Sequence, residues 1–243
     1  MKKWIAIALL SFSFTSCDTL LQVLEETEGA GVPTGITSSE AAAGLKEALV
    51  KGVGNGTQLL GKTDGFFKSE LYKILIPDEV KKAEEFLRGY GLGHIADNSI
   101  EAMNRGAEGA MNEAKVVFVN AITAMTIQDA ISIVTGGEGA ATDYLIRTTS
   151  TQLREKFQPI IQQSLDKADA TKNWTKLVNT YNNLSLVHGK PKIDPDLNKY
   201  VTTKAMTAIF STVRKEENNI RANPLERTTD ILKKVFAYAD SKR

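Results

Sequence analysis

The 243-residue chain has one cysteine, Cys17, and two histidines, His94 and His188. A lone thiol excludes a disulfide framework within one chain, and two histidines argue against a histidine-rich metal site. Paired cysteines, an H-E-x-x-H helix and a calcium loop are missing too, so no metal or other cofactor is expected. Neither sign of charge is in excess: 30 Lys and Arg stand against 29 Asp and Glu. A balanced chain carries no electrostatic footprint for nucleic acid. The apolar run from Trp4 to Phe14 is too short to cross a hydrocarbon core of about 30 Å as a helix.

That run is nonetheless informative in its setting. Lys2 and Lys3 precede it, and Thr15-Ser16 lead to Cys17. A charged start, a short apolar stretch and small residues before a cysteine read as a secretory signal over 1–16. Cys17 then stands where bacterial lipoproteins carry the acylated residue. Phe14 takes the place of the usual leucine, and an ordinary secretory signal cleaved nearby is the other reading. Two or three acyl chains at Cys17 would anchor the protein firmly to a membrane, since one chain binds only marginally. Loss of 1–16 leaves 28 basic and 29 acidic side chains, still close to neutral. The expected location is the cell envelope, lipid-anchored, with the domain in the periplasm.

Residues 17–36 read as a tether, because the stretch from Thr27 to Gly35 is rich in glycine and holds Pro33. Leu20, Leu21, Val23 and Leu24 could lie on the membrane or on the domain, which is expected to occupy 37–243. Thr37 with Glu40 forms a capping box, and Leu45, Leu49 and Val53 continue an apolar helix face. Gly52, Gly54 and Gly56 form a G-x-G-x-G string, but no strand precedes it, so close helix packing or fraying is expected rather than a nucleotide loop. Asp64-Gly65 marks a turn. Leu71 to Ile76 is a β-tolerant run closed by Pro77 and is expected to be extended. Asp78 is expected to cap a helix through Arg88, stopped by the glycines at 89, 91 and 93.

From Ile95 to Met125 a long helical pattern is rich in small residues, among them Ala102, Gly106, Gly109 and Ala114. Such a stripe suits close helix packing and would alternatively leave room for a ligand. Thr126 with Asp129 makes a second capping box, and that helix should end at Gly136-Gly137. Further helices are expected over 139–149, 150–167, 171–184 and 200–221, with Pro159 kinking or splitting the second of these. In the last helix Ile231, Leu232, Val235 and Phe236 share a face. The fold class is all-α: a single compact multi-helix domain of eight or nine helices, with little or no strand.

Several long blocks resemble the bacterial family known as domain of unknown function 4197. They are Ala41-Ala42-Ala43-Gly44-Leu45-Lys46-Glu47-Ala48-Leu49, Leu92-Gly93-His94-Ile95-Ala96-Asp97, Met103-Asn104-Arg105-Gly106-Ala107-Glu108 and Arg227-Thr228-Thr229-Asp230-Ile231-Leu232-Lys233. The longest runs from Met125 through Thr135-Gly136-Gly137 to Ala141-Thr142-Asp143-Tyr144. The resemblance spans about residues 37–243. It implies a helical, exported, often lipidated protein and supplies no reaction.

The residues themselves carry no nucleophile beside an oriented base, so no catalytic residue is assigned. The strongest polar constellation is Thr135-Gly136-Gly137-Glu138 leading to Asp143 and Arg147. Asp143 and Arg147, four apart on a helix, can pair, and free N–H groups near Gly139 could receive an anion. Arg105 and Arg154 are candidates to join them in space. The candidate ligand-binding residues are therefore Arg105, Gly136, Gly137, Asp143, Arg147 and Arg154, against an ordinary helical corner with a structural salt bridge. Glu101 and Glu108, seven apart on one helix face, are a candidate acid–base pair or a solvated stripe. Together these features lead to the expectation of a non-enzymatic, membrane-tethered protein that binds an apolar, lipid-like ligand or an envelope protein partner. An envelope enzyme with a carboxylate–arginine site near 135–154, and a purely structural envelope protein, are the rivals.

Overall fold

The computed structural model describes residues 37–89, 91, 93–187, 192–223, 227 and 229–241. Residues 1–36, with Cys17, and His188 lie outside them. After α1 (Ser38–Gly61) the chain runs without regular structure to one 3₁₀ turn at Asp78–Val80. It continues as α2 (Lys81–Gly89), α3 (Gly93–Ala124), α4 (Ile127–Thr135), α5 (Ala140–Lys167), α6 (Ala170–Val187), α7 (Leu197–Ala222) and α8 (Asp230–Ser241). The described residues form helices and no strand, so the all-α class holds.

Both capping boxes form. Thr37 Oγ1 accepts from Glu40 N at 3.2 Å, and the Glu40 carboxylate accepts from Thr37 N at 2.8 Å. Thr126 and Asp129 repeat the arrangement at the start of α4. These side chains hold N–H groups that the first helical turn leaves unpaired. Of the Leu71–Ile76 run, Leu71 and Tyr72 belong to a turn closed on Ser69, while residues 73–77 carry no helix.

Two helix expectations are corrected. The stretches 139–149 and 150–167 are one helix, α5, which takes one from the expected count. Pro159 lies inside α5 on its exposed side, with Phe157 and Ile161 buried on either side. Water can satisfy the carbonyl that loses its donor there, while the buried neighbours keep the helix in place. Asp78 is not a helix cap. It binds Lys81 Nζ at 2.6 Å, and the helix opens instead through the 3₁₀ turn.

The molecule is built around α3 and α5, which share the most extensive helix contact, flanked by α1 and α7. The small residues of α3 make this possible. A Cβ added at Gly106 would meet the Ile161 Cα and the Ser164 Cβ at 3.2 Å each. Ser164 Oγ donates to Ala102 O across the same contact at 3.0 Å. On α5 every fourth residue from Leu145 through Thr149, Leu153, Phe157 and Ile161 to Leu165 is buried. A four-residue repeat drifts by about 40° per step around a 3.6-residue helix. The buried stripe therefore winds round α5, which also packs on α6 and α7. Phe118 and Phe210 meet edge-on at 5.7 Å and join α3 to α7. Gly56 of α1 faces α7, where a Cβ would lie 3.2 Å from Thr212 Cγ2. Close packing thus accounts for that part of the glycine string. No single helix among the described residues is long and apolar enough to cross a membrane.

Candidate functional site

The corner between α4 and α5 is closed from inside by α7. The Glu217 carboxylate accepts from Ala141 N at 3.0 Å, Thr142 N at 2.9 Å and Thr142 Oγ1 at 2.8 Å. The anion expected at the N-terminus of α5 is therefore the protein's own side chain. Arg221 donates to Glu217 at 2.9 Å and to the carbonyls of Ile133 at 2.8 Å and Gly136 at 3.3 Å. One buried ion pair thus caps the end of α4 and the start of α5. Gly139 is left-handed at φ +77°, and a Cβ there would collide with the Arg214 guanidinium. Asp143 pairs with that Arg214, not with Arg147. The Arg147 guanidinium lies over the Tyr144 ring at 5.5 Å, Arg154 is exposed, and no neighbour within 4 Å awaits a Cβ at Gly137.

Arg105 belongs to a different cluster. Its α3 neighbour Gly106 packs beside Ile161. Ile161 lies 18 residues, or about 27 Å, along α5 from Asp143. Arg105 binds Glu108 at 2.8 Å and Asp64 at 2.9 Å, and lies 3.4 Å from Glu101. The hydrogen bond it donates to Glu108, foremost, raises the guanidinium pKa above its ordinary value. Lys68 and then Arg105 hold the Asp64 carboxyl below the usual range. Glu101 and Glu108 are thus bridged by one arginine. Glu108 is buried and accepts from Phe66 N at 3.0 Å and Phe67 N at 3.1 Å. One turn earlier, the buried Asn104 amide accepts from Ile74 N and donates to Ile74 O, both at 2.8 Å. These α3 side chains pin the segment after α1 against the helix pair.

Pinning this segment opens a cleft of about 610 Å³ between residues 71–78 and α7. Ile74 and Ile76 are buried beneath it, while Leu71 is 72% and Leu75 51% exposed. Tyr200 of α7 donates its hydroxyl to Leu75 O at 2.9 Å and closes one end. Lys73 Nζ lies 4.6 Å from the centre of the Phe67 ring, and Lys204 Nζ lies 5.6 Å from that of Tyr200. Neither lysine has a carboxylate at salt-bridge distance among the described residues. Asp97 and Asp78, which feel their charge, are already bound to Arg88 and Lys81 at 2.6 Å each. Lys81 thereby lowers the Asp78 carboxyl pKa. A second hollow of about 430 Å³ adjoins the cleft, shares Pro77 and Tyr200 with it, and reaches Trp174 and Ile193. The arrangement offers apolar surface, two lysines held only over aromatic faces, and exposed backbone.

Sequence reasoning missed Asn104, Glu217 and Arg221 as organisers, and Lys73, Lys204 and Tyr200 as cleft residues. A signal existed for the first group: polar residues at four-residue spacing on otherwise apolar faces. None existed for the second, since Leu75 and Tyr200 are 125 residues apart in the chain.

No curated protein and no solved structure matches the chain. The α3 block around Asn104–Glu108 and the α4–α5 corner both lie within residues 35–237, which match the sequence profile of the proteins of unknown function DUF4197; the chain belongs to that family.

Proposed function

We propose that this is a lipoprotein anchored to the cell envelope through Cys17, whose helical domain binds a protein partner and carries out no chemistry of its own. The cleft between residues 71–78 and α7 is its binding surface. The observation that carries the reading is the pairing of exposed Leu71 and Leu75 with Lys73 and Lys204 around an open, pinned cleft. A protein surface complements that mixture better than an acyl chain does. The rival lipid reading looks to the small residues of α3, but Ile161 and Ser164 already occupy the space beside Gly106. The rival enzyme reading looks to residues 135–154, where Glu217 and Arg221 already fill the helix ends.

A photo-crosslinking amino acid placed at Leu75 in living cells tests this. The expected result is one recurrent, identifiable protein adduct that is lost when Lys73 and Lys204 are both changed to Glu. The same probe at Val116, which is exposed and about 18 Å along α3 from Asn104, should give none. Adducts to lipid alone, or equal adducts from both positions, would sink the reading.

A further inference from the structure

We propose that the cleft takes its partner as an extended, acidic polypeptide segment that pairs with the backbone of Lys73 and Leu75, an inference that rests on reading the cleft as the binding surface. In an extended chain the N–H and C=O of one residue point to one side, and those of the next residue to the other. Both groups of Ile74 are taken by Asn104 on α3. The groups of Lys73 and Leu75 therefore turn the other way, and the Tyr200 hydroxyl on Leu75 O marks that side as the cleft. Lys73 N is used within its own turn by Ser69 O. The Lys73 C=O and the Leu75 N–H have no hydrogen-bond partner among the described residues. Among the described residues they are a short edge of unpaired backbone, and an added strand is the structure that satisfies such groups.

The edge is also rigid. Asn104 fixes Ile74, and the buried Ile74 and Ile76 side chains anchor the run, so little ordering remains when a partner binds. An acyl chain could satisfy neither backbone group. The preference for acids follows from Lys73 and Lys204, whose ammonium groups rest on aromatic rings without a carboxylate. Lys73 and Leu75 lie two apart and share a face of the extended run, so the partner should carry an acidic residue opposite Lys73 and an apolar one two positions away opposite Leu75.

The test pans the full chain, purified in detergent, against phage displaying random dodecapeptides. Peptides with an acidic residue two positions from an apolar one should be enriched. Their synthetic forms should lose at least tenfold in affinity to the Lys73→Glu/Lys204→Glu chain, and at least tenfold when alternate peptide amides are N-methylated. Leu75→Pro, which removes the unpartnered N–H, should weaken binding by a similar factor, while Leu75→Val should not. The N-methylated peptides carry the same test should the proline variant fail to fold. No enrichment, or enriched peptides indifferent to both charge reversal and methylation, would overturn the proposal. Peptides matching residues 20–28 of this chain would also overturn a partner protein, by making its own N-terminal segment the occupant. If crosslinks from Leu75 identify a protein while no peptide is enriched, the extended-peptide chemistry falls and the cleft reading stands. If both experiments fail, both readings fall.

Discussion

Glu217 satisfies three donors of the α5 start and one of Arg221 from a position only 7% exposed. Glu217→Ala would leave the buried Arg221 charge without its carboxylate and the amides of Ala141 and Thr142 without an acceptor. Breaking a buried pair from one side costs about 3–5 kcal/mol, and the expected result in urea unfolding is a loss of that order. Asp143→Ala, which breaks the exposed pair with Arg214, should cost at most about 1 kcal/mol. Equal losses would show that the corner is held by its surface charges instead. The contrast also shows what the residues revealed before folding. Asp143 and Arg147 are four apart and readable as a pair, yet Asp143 turns to Arg214, 71 residues away. Local spacing says which pairs are possible, and only the packing of α7 decides which one forms.

At the scale of elements, the signals that were legible are those whose partners lie within one turn. Both capping boxes involve residues three apart, and both form. Their pH dependence follows from the same bonds. Hydrogen bonds from the Thr37 backbone and side chain hold the Glu40 carboxyl below its ordinary value, and the Thr126 side chain and backbone do so for Asp129. A folded pKa below the unfolded one contributes stability that is present above the unfolded value, near 4. That contribution is lost as pH falls through the folded value. Thermal midpoints should therefore fall below about pH 4, with a shallower slope in Asp129→Asn. An unchanged slope in that variant would remove the cap from the account. Pro159 does not split α5: proline disfavours a helix interior in general, and its exposed placement here is a tertiary fact. With α5 continuous through it, Pro159→Ala restores a backbone donor without changing any buried side chain. It should raise stability by up to about 3 kcal/mol, visible as a higher melting temperature; a lower one would mean the proline shapes α5 in a way that the packing requires.

For the whole molecule, the proposed anchor and the cleft make separable demands. The helical class was readable because apolar periodicity is local, whereas the cleft was not, because it exists only where residues 71–78 meet a helix that begins at Leu197. Among the described residues, the hollow between α1, α7 and α8 holds only about 20 Å³, about the space of one water. Cys17→Ser should therefore do two things at once. Without acyl chains the protein should leave the membrane fraction. Purified without detergent, the same variant should show a bare protein mass in native mass spectrometry. A stoichiometric lipid would reopen the small-residue face of α3 as a binding site and contradict its packing against Ile161. Persistence in the membrane fraction would instead assign the attachment to the domain itself. The two readouts fail independently, so one variant can test the anchor and the filled core without either result standing in for the other.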